Sequence, residues 1–201
     1  MPNSSSSKRK LHLGCGTIIL PDYVNVDLLP LPGIDVVHDL AVLPWPFEDG
    51  QFDEVIAIDI IEHLPSVVKT MEEIHRITKP NAKVIIRTPY YNSWDATADP
   101  THLHFFNENS FDVFDPQTPM GKSRNYYSNA SFRIVGIGYL LYFHGSSVMV
   151  CDNYRPLDPS HLPEQYRKKA LHSTTLKNIL AYAAHSIGNV IRTLHIELIR
   201  S

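Results

Sequence analysis

Apolar residues in the first ninety positions come in short runs, each bounded by Gly, Pro or Asp: residues 10–14, 23–27, 34–38, 53–58 and 82–88. Several runs are apolar at consecutive positions, as strands covered on both faces are, so the pattern predicts a mostly parallel sheet. Between Pro65 and Ile77 the period changes. Val67, Val68, Met71, Ile74 and Ile77 form one helical stripe, and Lys79-Pro80 ends it. Strands and helix alternating in this way predict a Rossmann-like, doubly wound α/β sheet.

Residues 89–130 lose that periodicity and carry Pro, Asn, Asp, Ser and aromatics, with one short helix predicted at Glu108–Phe114. An irregular stretch of this length inside a domain is usually functional or mobile. It starts at the carboxyl end of the fifth strand, where open α/β sheets bind ligands. Phe132–Phe143 and Ser147–Asn153 then predict an antiparallel hairpin turning at His144-Gly145-Ser146, which ends the sheet. From Thr174 onward Leu176, Leu180, Ala183, Ile187, Val190 and Leu194 recur at helical steps, with Ile179, Ile191 and Leu198 widening the stripe. This predicts a C-terminal amphipathic helix that packs on its own domain or on a second subunit as a homodimer. With Lys168, Lys169, Lys177, Arg192 and Arg200 beside it, peripheral membrane contact is the other placement. The expected organisation is a disordered lead-in at 1–9, one domain at 10–160 and a helical extension at 161–201.

The candidate chemistry begins at Leu11-His12-Leu13-Gly14-Cys15-Gly16, where a strand runs into a Gly-x-Gly turn. Without Cβ atoms there, backbone N–H groups can approach a ligand closely. Asp27, ending Asn25-Val26-Asp27, can accept from both hydroxyls of a ribose, so the expected ligand is a nucleoside-containing cofactor. A nicotinamide fingerprint wants a third small residue where Ile19 stands, which argues against a dehydrogenase. Ten residues separate Gly16 from Asp27, fewer than a parallel crossover with a helix usually takes. The first crossover is therefore expected to be a single turn or a loop.

Further along stand Asp39-Leu40, Leu43-Pro44-Trp45-Pro46-Phe47, Phe52-Asp53-Glu54-Val55, Glu62-His63-Leu64, Glu73 through Arg76, and Lys79-Pro80. In this order the motifs resemble the class I S-adenosylmethionine-dependent methyltransferases over roughly residues 10–115. The resemblance implies S-adenosyl-L-methionine as cofactor, with Leu13, Gly14, Cys15 and Gly16 around its methionyl part and Asp27 at the ribose. It implies Asp39 and Leu40 at the adenine and Asp59 nearby. Asp59, Glu62 and His63 follow the fourth strand as D-x-x-E-H, and Asp99-Pro100-Thr101-His102-Leu103-His104 follows the fifth. This resembles the metal-assisted 2′-O-methyltransferases of small RNAs, which implies Asp59, Glu62, His63 and His102 as ligands of Mg²⁺ or another divalent cation. Without a metal, His102 or His104, beside His63, would be the general base, because imidazole titrates near neutrality. Tyr90, Tyr91, Asn92 and Trp94 would then face the acceptor, where aromatic rings stack on planar or sugar-like groups, or would pack beneath the loop.

Composition narrows this picture further. Hydrophobic residues make up 43% and charged residues 19% of the 201 positions, as in a soluble globular domain. The net charge of −3, with no basic block beyond Lys8-Arg9-Lys10, argues against nucleic acid and favours a small-molecule or glycan acceptor. Two cysteines, Cys15 and Cys151, make no disulfide framework, and no run approaches the about 20 apolar residues of a membrane span, so a cytoplasmic protein is expected. The leading expectation is O-methylation. The alternative is a catalytically degenerate scaffold that docks a partner through the C-terminal helix.

Overall fold

The computed structural model describes residues 9–143, 146–153 and 169–201. The expected lead-in at 1–9 and the turn at His144-Gly145 therefore lie wholly or mostly outside the described residues. Nine strands form one sheet: β1 (Lys10–Leu13), β2 (Val24–Asp27), β3 (Val36–Val37), β4 (Phe52–Ile58), β5 (Thr78–Pro89), β6 (Phe132–Phe143), β7 (Ser146–Cys151), β8 (Lys169–His172) and β9 (Thr193–Arg200). Their order is β3-β2-β1-β4-β5-β9-β6-β7-β8. The first five strands are parallel neighbours, whereas β9 runs antiparallel between β5 and β6. From β1 the chain builds outward first to β2 and β3 and then, on the other side, to β4 and β5. The β1/β4 junction is thus the switch point at which such sheets take ligands.

Helix α1 (Val67–Ile77) starts where the Ser66 side chain accepts from the Lys69 N–H, and ends where Thr78 turns extended. Its buried stripe of Met71, Ile74 and Ile77 joins Leu11, Leu13, Val55, Ala57, Val84 and Ile86 in the main core. Two short helices follow, α2 (Trp94–Ala98) and α3 (Pro119–Ser123), then α4 (Thr174–Ser186). Leu176, Leu180 and Ala184 of α4 pack into the same main core as α1. The opposite face carries a smaller cluster, with Leu20, Ile18 and Tyr23 against Ile56, Ile58 and Ile85.

No helix links β1 to β2, as the short spacing predicted. Buried Asn25 holds the loop instead. Its Oδ1 accepts from the Leu20 N–H at 3.0 Å and its Nδ2 donates to the carbonyls of Leu20 and Tyr23, each at 3.0 Å. One side chain thereby satisfies backbone groups that a helix would have satisfied internally.

Two expectations are corrected. The predicted helix at 108–114 is only a 3-10 turn at Asp112–Phe114, and the 89–130 segment is anchored by Phe106, Phe111 and Phe114 in the core. The C-terminal helix ends at Ser186, and residues 193–200, read as the continuation of its stripe, are strand β9. The helix ends where Ile187 turns extended while its N–H still bonds the Ala183 carbonyl, and Asn189, at φ +62°, turns the chain beyond it. Beyond them Leu194, Ile196 and Leu198 alternate with Thr193, His195 and Glu197, a period of two that the four-and-three steps also fit. Far from an extension, the end of the chain lies at the centre of the sheet. Among the described residues no helix is long and apolar enough to cross a membrane.

Candidate active site

Gly14 leaves β1 at φ +59°, and Gly16 follows at φ +54°. A Cβ on Gly14 would lie 2.4 Å from the Ile60 Cγ1, so only glycine admits Ile60 here, whereas a Cβ on Gly16 would meet nothing within 4 Å. Asp27, at the end of β2, accepts the Gly16 N–H at 2.7 Å on one oxygen and the Leu29 N–H at 3.1 Å on the other. Each oxygen retains a lone pair for another donor. Cys15 is buried, and burial with the nearby Asp27 charge pushes its thiol up to about 11, leaving it un-ionised and inert. Asp39 is exposed and accepts from the Ala41 N–H at 2.9 Å, while buried Leu40 accepts the Trp45 indole N–H through its carbonyl. Around these carboxylates Leu28, Leu29, Val37 and Val42 are all more than half exposed and form an apolar rim.

A cleft of about 740 Å³ opens beyond the carboxyl ends of β4 and β5, lined by Asp59, Glu62, His63, Trp94, His102 and Tyr142 among others. Of the expected ligand set, Glu62, His63 and His102 converge, with one ligand atom of each within 4.8 Å of the others. Asp59 does not join them. It sits at φ +51° and forms a two-point ion pair with Arg87. His104 stays outside the cleft lining, with its ring beside Phe106.

The two histidines are oriented from behind. His102 Nδ1 faces the Ala96 carbonyl at 2.9 Å and so must donate, which leaves the lone pair on Nε2. Thr101 donates its hydroxyl proton to Asp99 at 2.7 Å and therefore accepts from His63 Nδ1 at 2.9 Å, with the same result. The ring centroids are 4.6 Å apart. Burial, and then proximity to His102, pull His63 below the usual imidazole range, so it is an unprotonated base at neutral pH. Glu62 is only 1% exposed and neither carboxyl oxygen has a hydrogen-bond partner among the described residues. Burial pushes it up to about 8, so on its own it is a neutral acid at pH 7.

The aromatic run after β5 divides. Tyr90 is fully buried and donates to Glu108 at 2.8 Å, Tyr91 packs beside His185, and Asn92 bonds the Ala184 carbonyl. Only Trp94 of the four lines the cleft. Arg87, Asp95, Tyr142 and Arg192 also line it, and sequence reasoning did not single them out for the site. Tyr142 and Arg192 reach it because β9 pairs with both β5 and β6, and no local pattern signals that pairing.

The methyltransferase-domain family model matches residues 1–118. Among curated proteins the chain is 41% identical over 46 residues to tocopherol O-methyltransferase of Arabidopsis thaliana, a match covering 23% of this chain and 13% of that protein. It is 37% identical over 57 residues to the 2-phytyl-1,4-naphtoquinone methyltransferase of Nostoc sp., covering 28% and 24% respectively. The matches therefore take in less than a quarter of either relative's length. In fold it is similar to a SAM-dependent methyltransferase from Archaeoglobus fulgidus, with a TM-score of 0.59, 17% identity and coverage of 96% of this chain and 86% of that one. With the Gly-x-Gly turn at the switch point and an antiparallel strand set between β5 and β6, the chain belongs to the methyltransferase-domain family and has the Rossmann-like fold of the S-adenosylmethionine-dependent enzymes.

Proposed function

We propose that this protein transfers a methyl group from S-adenosyl-L-methionine to a hydroxyl of a small polar molecule or glycan. The observation that carries the reading is the pair of imidazoles, each with Nδ1 engaged from behind and Nε2 free, at the end of the strands where the acceptor has to sit. The residues fit the cofactor. Gly16 offers open space where a side chain would intrude, Asp27 keeps acceptor capacity for ribose hydroxyls, and the exposed apolar rim suits an adenine ring beside Asp39 and Leu40. Leu13, Gly14 and Cys15 form the end of β1 and its turn, and would hold the methionyl part.

When bound, the cofactor supplies a methyl carbon on a sulfonium, with a thioether as leaving group. His63 or His102 takes the hydroxyl proton on Nε2 as the oxygen bonds to that carbon. Holding the oxygen about 3–3.5 Å from the methyl, in line with the breaking C–S bond, is the task of the cleft walls. Arg87 holds the Asp59 carboxylate in an ion pair at the edge of the same cleft.

A second reading has a specific observation behind it. Glu62 is buried with both oxygens unpartnered, beside two free imidazole nitrogens, and this carboxylate–imidazole set suits a divalent cation. Glu62, His63 and His102 would hold the ion, which would lower the pKa of the acceptor hydroxyl. Calorimetry with S-adenosylmethionine and its demethylated product, alongside a methyl-release assay with and without chelator, tests both readings. Micromolar binding with chelator-insensitive turnover supports the general base. Chelator-sensitive turnover with unchanged cofactor binding supports the metal. Absence of binding overturns the methyltransferase assignment.

A further inference from the structure

Trp94 is 69% exposed and Tyr142 is 53% exposed, yet both line one concave surface. Next to the main cleft is an adjoining hollow of about 410 Å³ bounded by Trp94, Asp95, Tyr142, Asn189 and Arg192. Arg192 ties this surface together. Its guanidinium carbon lies 5.1 Å from the Tyr142 ring centroid, and it forks onto the carboxylate of Asp95. Trp94 is set in place through its backbone N–H, which donates to the Asn189 side chain, while its residue surface stays 69% exposed. Two exposed aromatic rings, Trp94 and a Tyr142 that the Arg192 guanidinium covers on one face, flank a fixed carboxylate–guanidinium pair and offer apolar platforms and hydrogen-bonding groups in one place. A pyranose ring has the matching surface, with C–H faces above and below and a belt of hydroxyls.

Charge narrows the class. The cleft is lined by Asp59, Glu62, Asp95 and Asp99 against Arg87 and Arg192, and each of those guanidiniums already pairs with a carboxylate. A phosphate or uronate would find no uncommitted guanidinium among the described lining residues. An isoprenoid tail would have to strip water from charged groups.

We propose that Trp94, Asp95, Tyr142 and Arg192 form a subsite for a neutral saccharide and present one of its hydroxyls to His63 and His102. This rests on the methyltransferase reading and names its acceptor class. In the step it serves, the sugar oxygen gains the methyl carbon, the sulfur keeps the bonding pair as a thioether, and the hydroxyl proton goes to imidazole.

Fluorescence reads the subsite without turnover. Trp45, the other tryptophan, is 2% exposed, so acrylamide quenches Trp94 selectively. The probes are methyl glycosides and disaccharides of glucose, galactose and mannose, with glucuronic acid, inorganic phosphate and catechol as competitors. The expected result is saturable protection of Trp94 by at least one neutral sugar. Tyr142→Ala should weaken it about tenfold and Tyr142→Phe should retain it, since stacking needs the ring and not the hydroxyl. Trp94→Ala should abolish sugar binding by calorimetry while the demethylated cofactor binds as before. Protection by catechol or glucuronic acid in place of neutral sugars overturns the proposal. So does a lack of protection by any sugar in protein that still binds the cofactor. Sugar protection in protein that binds no cofactor would retain the saccharide site and overturn the methyltransferase reading.

Discussion

His102 shows how much of a residue's role is set by the atoms behind it. With Nδ1 committed to Ala96, Nε2 is left as the acceptor, so His102→Ala should lower turnover about 100- to 10,000-fold, the usual contribution of a positioned acid–base group. Binding of the demethylated cofactor, measured by calorimetry, should stay unchanged. His63 is depressed below the ordinary imidazole value by burial, so a rate that depends on its free base should be flat at neutral pH. That rate should fall only as pH drops through the depressed value, and a pH–rate profile of cofactor-saturated enzyme reads the limb directly. Asp27 differs in kind, because it already accepts two backbone N–H groups. Asp27→Ala is expected to cost about 1.5–3 kcal/mol of cofactor affinity through loss of a charged acceptor. Equal affinity in mutant and wild type would mean that Asp27 only braces the loop. These candidates were legible as types and spacings. The resemblance already grouped Glu62 and His63 with His102 across nearly forty residues, and these three meet, but no local pattern signals that Arg87 diverts Asp59 from the set.

At the scale of elements, α1 and β1 to β5 are local matters. Each is a run whose period and bounding residues mark it, and each stands within a few residues of its predicted limits. β9 is the exception. A segment with Leu194 and Leu198 one helical turn apart, and Leu194, Ile196 and Leu198 in alternation, satisfies both periods, so neighbours decide. Here β5 and β6 supply partners along both edges, and Leu194, Ile196 and Leu198 are fully buried. Ile196→Ala should therefore destabilise the fold by about 2–5 kcal/mol in urea unfolding, as truncation of a buried aliphatic residue does. Removing the chain from Thr174 onward should leave protein without cooperative unfolding, because β5 and β6 would each expose an unpaired edge and the core would lose Ala184, Ile191, Leu194, Ile196 and Leu198. A folded truncation that still binds cofactor would instead make β9 dispensable.

At the scale of the whole molecule, the sheet buries two histidines along with its apolar core, and this has a measurable consequence. His12 and His195 are buried; burial pulls the first down to about 4 and the second to about 3. Both are neutral in the native state while the unfolded chain takes up protons near 6.5, so stability is complete above that pH and is lost as pH falls toward 4. Each histidine should contribute a slope of about 1.4 kcal/mol per pH unit across that window. His195→Gln should flatten the acid limb of a urea-midpoint-versus-pH curve, and an unchanged slope would mean that its burial is relieved before global unfolding. The sequence by itself determined the local periods, the turn glycines, the looped first crossover and the family's motif order, because each depends on neighbours within a dozen residues. Only the tertiary structure decided that residues 193–200 form a central strand, that Trp94, Tyr142 and Arg192 share one cleft, and that Asp59 pairs with Arg87 rather than joining the two imidazoles. Those facts arise from strand pairing and burial between segments far apart in the chain, where local pattern carries no information about partners.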